Sequence, residues 1–197
     1  MKVFPAWPAL LAWLGGCALY NDVPAEHTLD PEQPLVVVVE PAPMRNIPET
    51  EADRLGRLVA SNLSAAKAAT VVSAVPLMDI RGTDPQAYRQ MTIAEKAAAC
   101  GARQVLLIRL IQWDRTPIIG GDESVRVVAS VLVLDGETGA VRWAPQASGR
   151  TVTYATADRP VSSNADSTPL AQAMNADPTA ELASRISTLF HKTYKNE

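Results

Sequence analysis

Two cysteines, Cys17 and Cys100, and two histidines, His27 and His191, are the residues of this 197-residue chain best suited to thiol, imidazole or soft-metal chemistry. Their number and spacing do not make a structural zinc site. His27 lies in a polar stretch and His191 near the end of the last apolar helical stripe. Neither is placed beside a serine or cysteine with a supporting carboxylate, so triad chemistry has no support. The glycines at 120, 121, 136 and 139 fall in hairpins and do not open a helix, which argues against a phosphate-binding loop. Asp79, Asp84, Asp114, Asp122 and Asp135 could supply a carboxylate pair or a cation site. They sit at strand ends and turns, where aspartate is expected for turn geometry alone. No catalytic residue, metal ligand or cofactor is assigned, and the chain reads as a non-enzyme.

Composition narrows the partners. Hydrophobic residues make up 47% of the chain and charged residues 20%, a globular balance. The formal charge is −3, with no basic run, so phosphate neutralisation of a nucleic acid is not expected.

The chain begins with one positive charge at Lys2, an apolar stretch to Leu14, then Gly15, Gly16 and Cys17. That pattern defines a secretory signal. The apolar stretch falls short of the roughly 20 residues needed to span a bilayer. Leu14-Gly15-Gly16-Cys17 also resembles the lipobox of bacterial lipoproteins. The resemblance implies that residues 1–16 are removed and that Cys17 is acylated, so that membrane lipid holds the chain through its acyl groups. Two or three chains at about 0.8 kcal/mol per buried methylene make such attachment stable. Ala18, in place of an aspartate, favours the outer membrane by the sorting pattern of that family. Cys100 then has no partner for a disulfide and is expected to be a small buried apolar residue.

Residues 17–34 carry Pro24, Pro31 and Pro34 without periodicity and read as a tether. If flexible, it spans about 20–25 Å. A single domain is expected over 35–197. Leu35-Val36-Val37-Val38-Val39 is a strand buried on both faces. Leu55, Leu58, Val59 and Leu63 follow at helical spacing, with Thr50 and Asp53 as a cap. Thr70 to Val75 reads as a second short strand, and Asp84-Pro85 as a helical turn. Thr92-Ile93-Ala94-Glu95 is a capping box, with Gly101 placed to end that helix. Gln104–Trp113 and Val125–Leu134 are long strands, and Asp135 to Gly139 makes a tight loop into Ala140–Trp143. Gly149–Tyr154 is a further strand, and Asp177-Pro178 opens a last helix carrying Leu182, Ile186, Leu189 and Phe190. The order β-α-β-α-β-β-β-β-α implies an α/β (α+β) fold, a mixed sheet packed by helices.

Trp113 and Trp143 read as core edges. Ile118, Ile119, Gly120 and Gly121, at the tip of the long hairpin, are interface candidates. They combine apolar side chains with accessible backbone, and burial against the sheet is the even alternative.

Four segments resemble the periplasmic α/β domain shared by the penicillin-binding-protein activator LpoB, the amino-terminal domain of TolB and the CsgG-like lipoproteins. They are Val36-Val37-Val38-Val39-Glu40-Pro41, Leu55-Gly56-Arg57-Leu58-Val59, Ala102-Arg103-Gln104-Val105-Leu106-Leu107 and the run from Val131 to Gly139. The resemblance implies a non-enzymatic envelope protein that docks to other envelope proteins. A short tether and the lack of long alternating insertions set the chain apart from a wall-spanning activator and from a secretion pore. The rival functions are an envelope hydrolase with an unrecognised carboxylate site and a small-molecule carrier. A hydrolase would converge acids and bases in one cleft, a carrier would line a sizeable cavity, and a docking module would expose an apolar strip or a sheet edge.

Overall fold

The computed structural model describes residues 21–42, 47–117, 123–156 and 177–195. In chain order the elements are β1 (Asn21–Val23), β2 (Leu35–Pro41), α1 (Glu49–Ala65), α2 (Val75–Thr83), α3 (Pro85–Gln90), α4 (Ile93–Ala99), β3 (Gln104–Pro117), β4 (Glu123–Asp135), β5 (Val141–Trp143), β6 (Arg150–Ala155), α5 (Pro178–Ser187) and β7 (Thr193–Lys195).

The apolar run of β2 forms a strand because both of its faces are covered: Leu35 to Val39 are all at most 8% exposed. Each such side chain contributes about 1.5–3 kcal/mol by leaving water. β2 pairs in parallel with β3, Val36 opposite Val105 and Val38 opposite Leu107. A parallel pair needs a crossover, which α1 to α4 supply. β3 and β4 form a long antiparallel hairpin, interrupted by a register shift between Leu110 and Gln112. β4 pairs on its other side with β5 and with β6, which completes a mixed sheet of five strands. The α/β fold with a mixed, helix-packed sheet is therefore as expected.

Strand alternation sends side chains to two cores. Val37, Val39, Leu106, Ile108, Val127, Ala129 and Val131 pack with Leu55, Val59 and Leu63 of α1 and Leu182 and Ile186 of α5. Val36, Val38, Val105, Leu107, Leu132 and Leu134 face the other way, against Leu77 of α2 and Ala97 of α4. The first core is the larger, because α1, 17 residues long, and α5 each bury an apolar stripe in it, while α2 and α4 bury only Leu77 and Ala97 against the second.

Three local expectations need correction. The strand at 70–75 is a single parallel bridge from Val71 to Leu35, after which Val75 and Pro76 open α2. Proline presets a helical φ and lacks the N–H that a ladder would need, so it favours a first helical turn. The helix start is also one residue earlier than Thr50: Pro48 is the cap residue, and no side chain caps α1. Finally, residues 21–34 do not hang free. Leu29 is 1% exposed in the larger core, β1 pairs with β7, and the buried Gln104 amide donates to the Asp30 and Pro-flanking Gln33 carbonyls at 2.8 and 3.0 Å. His27 stacks on Trp143 at 5.3 Å, and Arg150 donates to Glu26 at 2.8 and 2.7 Å. The segment lacks periodicity because individual contacts, and not one continuous face, hold it down.

Other local signals are present among the described residues. Asp84 accepts from the amides of Gln86 and Ala87 to cap α3, and the Thr92–Glu95 capping box is complete. Gly101 and Gly139 have φ of +65° and +71°. The Asp135 carboxylate accepts from the Glu137 and Thr138 amides and the Thr138 hydroxyl, and it pairs with Arg142. These donors hold its carboxyl well below the usual carboxylate range, with the Thr138 amide foremost.

Candidate functional site

The candidates drawn from sequence lie outside the described residues: Cys17 in the leader region, and Ile118, Ile119, Gly120 and Gly121 at the hairpin tip. One apolar cleft that the described residues form was not anticipated. It runs along the outer edge of β2.

Three elements build it. Val37, Val38 and Val39 form the floor, Ala52, Asp53, Gly56, Arg57 and Ala60 of α1 form one wall, and Ala74, Val75, Leu77, Met78 and Arg81 form the other. The cavity is about 250 Å³ and mostly apolar. Gly56 sets its width, since a Cβ there would stand 3.2 Å from Val39 Cγ2. Ala52, Gly56 and Ala60 recur every fourth residue, so one face of α1 is small along the cleft.

The backbone of the floor is more informative than its side chains. The Leu35 amide donates to Thr70 and its carbonyl accepts from Val72, both at 2.8 Å. In a parallel strand the N–H and C=O of one residue point to the same side, and alternate residues point oppositely. Leu35, Val37 and Val39 therefore direct their main-chain groups outward, and Val36, Val38 and Glu40 direct theirs to β3. The outward pairing stops after Val72, where the chain leaves for α2. Among the described residues nothing pairs with the main-chain groups of Val37 and Val39 on that side.

Charges gather at one end. Arg81 on α2 donates to both Asp53 oxygens on α1, at 2.7 and 2.6 Å, and so ties the two walls. The hydrogen bond to Asp53 raises the Arg81 pKa above its ordinary value. Tyr88 lies under Arg81 and Lys96, whose Nζ is 4.4 Å from the ring centroid. Burial pushes the Tyr88 hydroxyl above its usual pKa. Lys96, 4% exposed, pairs with Glu40 at the end of β2. Asp53 and Glu40 are thus each held by a cation and do not face one another as an acid–base pair.

Elsewhere, Asp84 and Asp135 serve turns and Asp114 accepts from Gln112. His191 Nδ1 lies 3.0 Å from the Lys192 carbonyl oxygen. Cys100 is half-buried against the smaller core, and burial raises its thiol pKa. Trp113 and Trp143 pack on the rim of the larger core. Among the described residues no group of three or more His, Cys, Asp or Glu is placed to hold a metal ion, and no helix is long and apolar enough to cross a membrane.

No protein-family model and no curated protein matches the chain. Solved structures similar to it include the lipoprotein GNA1162 from Neisseria meningitidis, at 17% identity, covering 71% of this chain and 91% of that one, with a TM-score of 0.45. The carboxy-terminal domain of LpoB from Salmonella enterica is 16% identical, covers 64% and 84%, and has a TM-score of 0.37. A minor lipoprotein from Acinetobacter baumannii is 12% identical, covers 79% and 89%, and has a TM-score of 0.38. At these TM-scores the likeness transfers neither activity nor partner to this chain.

Proposed function

We propose that the chain is a lipid-anchored module of the bacterial cell envelope that binds another envelope protein and catalyses no reaction. The observation that carries the binding role is the open edge of β2 inside an apolar cleft. An exposed strand edge is an aggregation hazard unless it is covered or used. Here α1 and α2 flank it, and Val37, Val38 and Val39 line the cleft between them. The anchor is the acylated Cys17 implied by the leader, and Ala18 favours the outer membrane, with the domain facing the periplasm.

The rivals fit the cleft less well. A hydrolase needs convergent groups free to move protons, whereas Asp53 and Glu40 are both committed to ion pairs. A carrier's apolar ligand would leave the outward main-chain groups of Val37 and Val39 without hydrogen-bond partners.

Fractionating cells that express the parent or Cys17→Ser tests the anchored-module reading. The parent is expected in the membrane fraction, and the variant in the soluble fraction with an unchanged melting temperature. A variant that partitions into membranes as the parent does overturns it.

A further inference from the structure

We infer that the cleft takes an extended segment of a partner protein as an added strand on β2. The inference rests on the docking role proposed above and names the form of the partner. Four main-chain groups, the N–H and C=O of Val37 and of Val39, define what fits, because a peptide backbone at the usual inter-strand distance of about 4.8 Å satisfies all four. The molecule itself supplies the template. Thr70 to Val72 already sits on this edge through Leu35, and an incoming strand continues the same line past the point where the chain turns into α2.

The cleft selects against the other occupants. A second copy of this chain cannot present its own β2, because each β2 lies on the floor of a cleft walled by its own α1 and α2, and the two pairs of walls would collide. An apolar small molecule would fill the space but leave the four polar groups without partners, which is costly for each that is cut off from water. An isolated strand avoids both costs. Small wall residues, Ala52, Gly56, Ala60 and Ala74, leave room for a backbone and for modest side chains.

Charge sets one further feature of the ligand. Arg57 is exposed on the cleft wall and has no ion-pair partner among the described residues, while Arg81 is matched by Asp53. The lining therefore carries one unmatched positive charge. The fitting segment is extended, apolar or small at alternate positions, and carries a carboxylate near Arg57.

The test uses the full chain and a defined probe, a synthetic heptapeptide of alternating threonine and valine ending in aspartate. Its counterpart has the same side chains but every backbone amide N-methylated, so neither of its edges can donate. Amide exchange is followed at Val37 and Val39. The unmodified peptide is expected to slow both amides about tenfold near saturation, and the methylated one to leave them unchanged. Ala60→Phe, which fills the cleft, abolishes the effect, and Arg57→Glu on the exposed wall weakens binding several-fold. Both variants keep the parent melting temperature; if Ala60→Phe does not, Arg57→Glu alone decides. Equal protection by both peptides would mean side-chain filling of an apolar pocket and would overturn the inference. So would no protection by either peptide, or full protection of Val37 and Val39 before any peptide is added. None of these results depends on acylation of Cys17, so strand capture and membrane anchoring succeed or fail separately.

Discussion

The five-stranded sheet ends differently on its two sides. On one side, β6 is short and a charged side chain holds one of its carbonyls: Arg185 of α5 donates to the Thr153 carbonyl at 2.7 Å and stacks over Tyr154. Its start is held by Arg150 on Glu26, from the amino-terminal segment. On the other side, β2 is apolar throughout its first five residues, with main-chain groups facing a cleft. Charged side chains blunt the first edge, a common protection against stray pairing. The second is shielded only by the shape of its walls. The difference teaches that this sheet ties down the edge that only holds the fold together and leaves unpaired the edge proposed to recruit a strand.

The closed edge should be the less forgiving of change. Gly149, which leads into β6, has φ of +96°, and a Cβ there would stand 2.9 Å from Leu132 Cδ1 and 3.0 Å from the Val131 carbonyl oxygen. Gly149→Ala is expected to cost about 2–4 kcal/mol, from backbone strain together with overpacking. Urea denaturation checks it, and an unchanged midpoint would mean that the β6 edge is not pinned as described.

A smaller effect is expected at the open edge. Lys96→Met removes the cation that pairs with Glu40 at the end of β2. Glu40 remains partly exposed and can turn to water, so the loss should be about 1–2 kcal/mol, below the 3–5 typical of fully buried pairs. A loss larger than that of Gly149→Ala would reverse the ranking of the two edges.

Much of the fold was legible in the sequence. The valine run of β2, the capping box at Thr92 and the Asp135–Gly139 turn each depend on residues a few positions apart, so their chemistry is local. The packing of 21–34 was not legible, because its contacts reach across more than a hundred residues, Glu26 to Arg150 and His27 to Trp143. Gly149 likewise gave no local sign, since its constraint comes from β4 passing beside it. The cleft itself was hidden for a third reason. Its parts are ordinary, a buried strand and two helices, and its function follows from the strand expected at 70–75 shrinking to one bridge. A full second strand there would have covered Val37 and Val39. The one hint was the spacing of Ala52, Gly56 and Ala60, four residues apart on one face of α1.

Residue-by-residue amide exchange along β2 in the unliganded full chain tests the central claim most directly. The Leu35, Val36, Val38 and Glu40 amides are bonded to neighbouring segments, while those of Val37 and Val39 face the cleft. An alternating pattern is predicted beyond Leu35: slow at Val36, Val38 and Glu40, and at least about tenfold faster at Val37 and Val39. Uniformly slow exchange from Leu35 to Glu40 would show that the edge is already covered and would contradict the account.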